Sequence, residues 1–164
     1  WFSLLASIFG CAIEPMPDDF VEEEVTLLEW VYKAPGFSAE EIYDGTKVWI
    51  AENFRSAKAV LEFDSKEKGL LIGNGQIEIP CIDAECSVWN SKKVRFTMRV
   101  DIKDDRFKLM FSNFVVQYPY SSGSSSFETP IRYEREKQMI EEKIFSFGES
   151  IVSSLNFNND QEGW

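Results

Sequence analysis

The residues of this chain with the most definite chemistry are its three cysteines, because the chain contains no histidine. Four residues separate Cys81 from Cys86, and a tight loop can close such a spacing into a disulfide that stabilises by roughly 2 kcal/mol. Free thiols are the alternative. Two thiolates without a histidine or a second pair cannot complete a zinc site, and the spacing is not that of a redox Cys-x-x-Cys motif. We predict a structural disulfide, and neither a metal nor a cofactor.

Cys11 ends an opening segment that is typical of a secreted lipoprotein. Residues 1–10 are uncharged and mostly apolar, and Ile8-Phe9-Gly10-Cys11 resembles a bacterial lipobox, whose cysteine is lipidated. The segment has neither an initiator methionine nor a basic start, so we predict that residues 1–11 are the end of a truncated signal peptide. Ten residues are too few to span a bilayer. The alternative is a buried strand or helix with a chance cysteine.

The segment that follows, residues 12–23, is predicted to be an acidic tether. It contains two prolines and a run of carboxylates, a composition that buries too little apolar surface to fold. Because no aspartate follows Cys11, bacterial sorting favours the outer membrane. We therefore predict a lipid-anchored protein on the periplasmic side of the cell envelope, an oxidising compartment in which a Cys81–Cys86 disulfide would persist.

The charge balance excludes several functions. The chain has 17 Lys+Arg against 28 Asp+Glu and a net charge of −11, so it lacks the basic surface that nucleic acids require. Without histidine, Ser-His-Asp and Cys-His catalysis are excluded. Asp101, Asp104 and Asp105 cluster at a turn and are the basis of an alternative, a hydrolase that uses surface carboxylates. We favour solvated turn acids and predict that the protein is not an enzyme.

Hydrophobic periodicity predicts two helices and five strands. Ser38 and Glu41 form a capping box that begins the first helix, whereas Thr129 as N-cap and Pro130 as first residue predict the start of the second. A glycine, Gly148, inside the second helix suggests a kink or a close contact. The predicted strands follow alternating apolar residues and cover residues 24–32, 57–63 (with Leu61 and Phe63 on its apolar face), 70–79, 94–102 and 107–118, where Ser112-Asn113 indicates a bulge.

These elements predict an α+β domain of residues 24–157 with a frayed tail at 158–164. Hairpin-linked strands form an antiparallel sheet, and both helices bury their apolar stripes on one of its faces. The opposite face is open to an envelope protein or a small molecule, and an ordinary solvated surface is the alternative. The candidate binding residues on that open face are Val60, Ile72, Arg95, Arg99 and Met110, and the two arginines suggest an anionic group as one possible ligand.

Three segments resemble one protein family. They are FSAEEIYDGTKVWIAENF at residues 37–54, KGLLIGNG at 68–75 and RFKLMFSNF at 106–114, and they are similar to an uncharacterised bacterial family, a domain of unknown function with a TBP-like fold. The resemblance implies the order βαββββα and agrees with a secretion or lipoprotein signal. It implies no activity and no catalytic residues, and a TBP-like fold does not itself imply DNA binding.

Overall fold

Six strands and two helices form the part of the chain described by a computed structural model, namely residues 20–54, 60–81, 91–118 and 127–161. Cys11 and Cys86 lie outside these residues. In chain order the elements are β1 (Leu27–Lys33), α1 (Ala39–Asn53), β2 (Val60–Ser65), β3 (Leu70–Pro80), β4 (Ser91–Lys103), β5 (Arg106–Tyr118), β6 (Phe127–Thr129) and α2 (Glu134–Gln161).

The strands form one antiparallel sheet in the order β1-β5-β4-β3-β2. Strand β1 pairs with the first half of β5, from Lys33 opposite Arg106 to Leu27 opposite Ser112. The three-residue strand β6 pairs with the end of β5, so β1 and β6 share one edge of that strand. Strand β6 is not among the five strands that the sequence predicts. The α+β class and the antiparallel sheet are otherwise as predicted.

Alternate residues of each strand point into a core that both helices cover. In β4 the buried apolar residues are Val94, Phe96, Met98, Val100 and Ile102. Helix α1 contacts β4 and β5, and helix α2 contacts β1, β3 and α1. We call this side of the sheet the inner face and the opposite side the outer face. The predicted placement of both helices on one face is confirmed.

The predicted start of α1 is confirmed in detail. The Ser38 hydroxyl accepts the backbone N–H of Glu41, and the Glu41 carboxylate accepts the backbone N–H of Ser38 at 2.7 Å. The Ser38 hydroxyl also donates to the Glu41 carboxylate at 2.6 Å, and this hydrogen bond, together with that from the Ser38 backbone N–H, holds the pKa of Glu41 below its usual value. The Asp104 carboxylate, from the β4–β5 turn, accepts the N–H of Ala39 at 2.7 Å. A capping box and a second carboxylate thus satisfy backbone donors that the helix leaves free at its start.

The predicted start of the second helix at Thr129 and Pro130 is wrong. Thr129 instead ends β6 opposite Val116, and its hydroxyl donates to the carbonyl oxygen of Pro130 at 2.8 Å. Pairing with β5 holds the chain extended here, and Tyr133 then forms an isolated antiparallel bridge with Phe20. The helix therefore begins only at Glu134. It continues past the predicted domain boundary at residue 157.

Two irregularities decide which side chains reach the outer face. The pairing of β2 with β3 shifts between Leu61 and Phe63, so Phe63 points to the outer face rather than sharing the inner face with Leu61 as predicted. The predicted phase change in β5 is confirmed, because Asn113 adopts a left-handed φ of 55°. One extra residue at such a point exchanges the two faces of a strand.

Helix α2 lies unusually close to β1. A Cβ atom built on Gly148 would be 2.1 Å from Cζ of the Tyr32 ring, so only glycine leaves room for that ring. The Tyr32 hydroxyl donates to the carbonyl oxygen of Phe145 at 2.9 Å. Gly148 therefore makes the predicted close contact.

Candidate binding surface

The outer face carries the residues that the sequence predicts for binding. Ile72, Arg99 and Met110 lie in direct cross-strand register on β3, β4 and β5, so the structure brings these three together. Arg95 lies two outward positions away along β4, opposite Gln76. Val60 begins β2, but its side chain lies outside the described residues.

The two predicted arginines already have carboxylate partners. Arg95 Nη2 lies 2.7 Å from Glu128 Oε2 of β6. Arg99 donates to Asp101 Oδ1 from Nη2 at 2.9 Å and from Nε at 3.1 Å. All four side chains are solvent-accessible, so these pairs stabilise the fold little. Each arginine nevertheless has its charge offset, and neither is a free ligand for an anion.

Apolar side chains remain exposed near both edges of the outer face. Leu27 and Val31 of β1 are 51% and 63% exposed, and Phe63 of β2 is 41% exposed. Phe63 lies opposite Ile72, which continues the apolar surface toward the centre of the sheet. Single exposed apolar residues are common, but here they share one uncovered face with Met110 and thus offer contact area to a partner.

A polar network crosses the middle of the outer face. Thr97 donates its hydroxyl hydrogen to Asn74 Oδ1 at 2.9 Å and accepts from Asn113 Nδ2 at 3.2 Å, and Asn74 donates to Glu62. Asn74, Thr97 and Asn113 border a shallow depression of about 390 Å³ that Arg95 also lines. The network fixes side-chain positions on an otherwise open sheet, which lowers the entropy cost of binding there.

Five cations lie together at one corner of the outer face. Lys33, Arg106 and Lys103 are in direct cross-strand register across β1, β5 and β4. Lys68, in the turn before β3, and Lys108, one outward position along β5, complete this group, which we call the basic corner. Lys68, Lys103, Arg106 and Lys108 line a depression of about 410 Å³. Sequence reasoning missed this group, because it depends on which strand pairs with β1.

The clustered carboxylates that motivate the hydrolase alternative each have a separate structural partner. The Asp105 carboxylate accepts the N–H of Gly36 at 2.8 Å, whereas Asp104 caps α1 and Asp101 pairs with Arg99. Among the described residues, no group of three or more His, Cys, Asp or Glu could hold a metal ion. Asp104 and Asp105 thereby connect the β4–β5 turn to the β1–α1 loop and the start of α1.

A buried ion pair lies on the inner face. Lys92 Nζ is 2.7 Å from Glu136 Oε1, and the two side chains are 0% and 2% exposed. The hydroxyl of Tyr118 donates to the same carboxylate, and Lys92 Nζ lies 4.5 Å from the centre of the Tyr118 ring. Burial and this carboxylate both raise the pKa of Tyr118. The sequence pattern missed the pair because Lys92 occupies an inward position of β4 that usually holds an apolar residue.

The cysteine predictions fall partly outside the described residues. Cys81 follows directly on β3 and is half-buried, so the pairing with Cys86 stays a prediction, as does lipidation of Cys11. In the part of the chain that the structure describes, neither helix is long and apolar enough to cross a membrane.

The architecture agrees with the family to which the sequence matches. Residues 29–117, from β1 through nearly all of β5, match the family "Domain of unknown function (DUF4468) with TBP-like fold". The chain belongs to this family. Residues 29–117 of the DUF4468 domain include Ile72, Arg95, Arg99, Met110 and the whole basic corner.

Solved structures show the same fold. A TBP-like protein from Parabacteroides distasonis ATCC 8503 superposes with a TM-score of 0.62 at 12% identity, over 87% of this chain and 96% of that one. A DUF4468 family protein from Bacteroides ovatus ATCC 8483 gives 0.54 at 17% identity, over 84% and 86%. No protein with a curated description matches this chain. These similarities establish the fold of the DUF4468 domain.

Proposed function

We propose that this DUF4468 domain is a non-enzymatic binding domain of the bacterial cell envelope that recognises a protein partner through its outer face. The observation that carries this proposal is the uncovered sheet, because both helices lie on the inner face. Apolar side chains at Leu27, Val31 and Phe63 are more than 40% exposed there. Aligned apolar and charged side chains on a rigid sheet suit protein recognition.

The proposal includes a lipid anchor at Cys11. Residues 12–23, the tether, would reach at most about 40 Å when fully extended. A partner must therefore lie close to the membrane that holds the lipid, and the outer membrane is favoured. A Cys81–Cys86 disulfide would close the start of the β3–β4 connection in this oxidising compartment.

The outer-face proposal can be tested by reciprocal affinity capture from the native envelope. Ile72→Glu combined with Met110→Glu places two charges in the central row of the face and should abolish capture of the partner. Val48→Glu is the matched control, because Val48 is an apolar residue of α1 that is 49% exposed. Equal capture of the same partner by all three proteins would refute the proposal, provided that circular dichroism shows each to be folded.

The anchor can be tested separately by the intact mass of the membrane-bound protein. We expect a cleaved, acylated amino terminus at Cys11, whereas Cys11→Ala should be neither acylated nor cleaved at that position. A natural protein that carries no modification at Cys11 would contradict the anchor but leave the outer-face proposal standing.

A further inference from the structure

The basic corner is electrostatically unfavourable in the free protein. Lys33 and Lys103 each lie directly opposite Arg106 on neighbouring strands, and like charges in such pairs repel. The whole chain carries a net charge of −11, so acidic partners for these cations are abundant in its composition. Yet the fold places its cations together at this corner.

Most of these cations have no carboxylate partner among the described residues. Of the five, only Lys108 forms an ion pair there, with Glu29 at 3.4 Å. Lys68 Nζ instead lies 5.9 Å from the centre of the Phe63 ring. Arg95 and Arg99, on the same face, are both paired. On the outer face, both arginines thus have a carboxylate partner, whereas four of the five corner cations have no ion pair among the described residues.

We infer that the basic corner binds a ligand of the phosphate class that carries at least two negative charges and an adjoining apolar group. This inference goes beyond the proposed function, because the ligand occupies one corner of the outer face and does not require the protein partner. An anion there would offset the repulsion around Arg106, so ligand binding would remove a cost that the free protein bears.

The number and spacing of the cations favour a ligand with more than one charge. Neighbouring strands lie about 4.8 Å apart, so the backbones that carry Lys33, Arg106 and Lys103 span about 10 Å. Their long side chains can converge on one anion, but a diphosphate, or a phosphate diester with a second charged group, offsets more of the positive charge across this span. Arg106, in the middle, can donate two parallel hydrogen bonds to phosphate oxygens.

The lining of the depression provides the rest of the specificity. Val31, which is 63% exposed, lines it beside Lys108 and would contact the apolar part of the ligand. Asp101 also lines it but is held by Arg99, which reduces its repulsion of an anion. The site thus selects a phosphate attached to an apolar body, either on a soluble compound or on a lipid headgroup.

The test is calorimetric titration of the full chain with inorganic pyrophosphate at low ionic strength. Lys103→Gln combined with Arg106→Gln should weaken binding at least tenfold. Lys93→Gln combined with Lys143→Gln is the matched control, because it removes the same charge from exposed positions elsewhere and should change the affinity less than twofold. Binding should also weaken as salt rises.

A second arm distinguishes the source of the phosphate. Cys11→Ala, which lacks the proposed lipid, is sedimented with vesicles of phosphatidylglycerol or of phosphatidylcholine. A lipid headgroup is supported if the protein binds the anionic vesicles but not pyrophosphate, and if Lys103→Gln combined with Arg106→Gln abolishes the vesicle binding. A soluble ligand is supported if the protein binds pyrophosphate but not the anionic vesicles.

Failure of both arms, or equal binding by the corner and control variants, would overturn the inference. The Ile72→Glu, Met110→Glu protein separates it from the proposed function, because that variant should lose its protein partner yet keep pyrophosphate affinity.

Discussion

Removing the lysine of the buried ion pair should strongly destabilise the fold. In Lys92→Met the Glu136 carboxylate, 2% exposed, loses the ammonium group 2.7 Å away and retains the hydrogen bond from Tyr118. An uncompensated buried charge of this kind costs about 3–5 kcal/mol. Single domains are stable by only about 5–15 kcal/mol, so the variant should lose a large share of its stability.

The assay is urea unfolding followed by circular dichroism. With a urea dependence of about 2 kcal/mol per molar, the midpoint should fall by about 1.5–2.5 M. Adding Glu136→Gln should recover part of the loss, because the amide is neutral and its oxygen still accepts from Tyr118. With the single variant Glu136→Gln as the fourth protein, the resulting double-mutant cycle measures the coupling between the two charges.

An exposed pair provides the control for this prediction. Lys47 pairs with Asp64, and the two side chains are 39% and 37% exposed, so Lys47→Met should cost less than about 1 kcal/mol. The reasoning is refuted if Lys92→Met also costs less than about 1 kcal/mol. It is also refuted if the double variant Lys92→Met, Glu136→Gln is less stable than Lys92→Met alone.

Three other changes in stability follow from the structure. Gly148→Ala should cost about 1–3 kcal/mol in urea titrations, because its methyl group would lie 2.1 Å from the Tyr32 ring. Gly45→Ala would place its methyl group 2.3 Å from Cδ2 of Leu155 and should cost less, because the end of a leucine can shift more easily than an aromatic ring. Burial raises the pKa of Tyr32 to about 12 and also raises the pKa of Tyr118. The folded state then holds both phenol protons more tightly than the unfolded state. The stabilising contribution is therefore complete below pH 10 and is lost as the pH rises from about 10 towards 12. Replacing both tyrosines with Phe should reduce this loss of the free energy of unfolding, measured by urea titrations at alkaline pH. Arg106→Gln should raise the free energy of unfolding by about 0.2–1 kcal/mol at low ionic strength, because it removes the repulsion from Lys33 and Lys103. Salt screens such repulsion, so a gain in melting temperature that stays the same at higher salt would contradict repulsion at the basic corner.

Features that depend on neighbouring residues could be predicted from the sequence. Ser38 and Glu41 are three residues apart, and the capping box that they form requires only local geometry. The alternation from Val94 to Ile102 likewise identifies a strand with one buried face. Those two patterns, together with the apolar stripe of the second predicted helix, were enough to predict that two helices cover one face of an antiparallel sheet.

Features that depend on distant pairing could not be predicted. The bulge that turns Phe63 outward exists only because β2 must keep its register with β3. Lys33 and Arg106 are unremarkable as separate residues at the ends of two strands, and only the pairing of β1 with β5 places them side by side. The same holds for Lys92 and Glu136, which come together when α2 packs on the sheet.

The pairing of β1 with β5 has a consequence for the order of folding. Strands β3, β4 and β5 are consecutive neighbours, so they can form a sheet by closing short connections. Strand β1 must wait for a partner that follows it by three strands and a helix, and long loops close later and more slowly. The edge that completes the basic corner, with Lys33, is therefore expected to be added last, so an incompletely folded chain would lack the full cationic site.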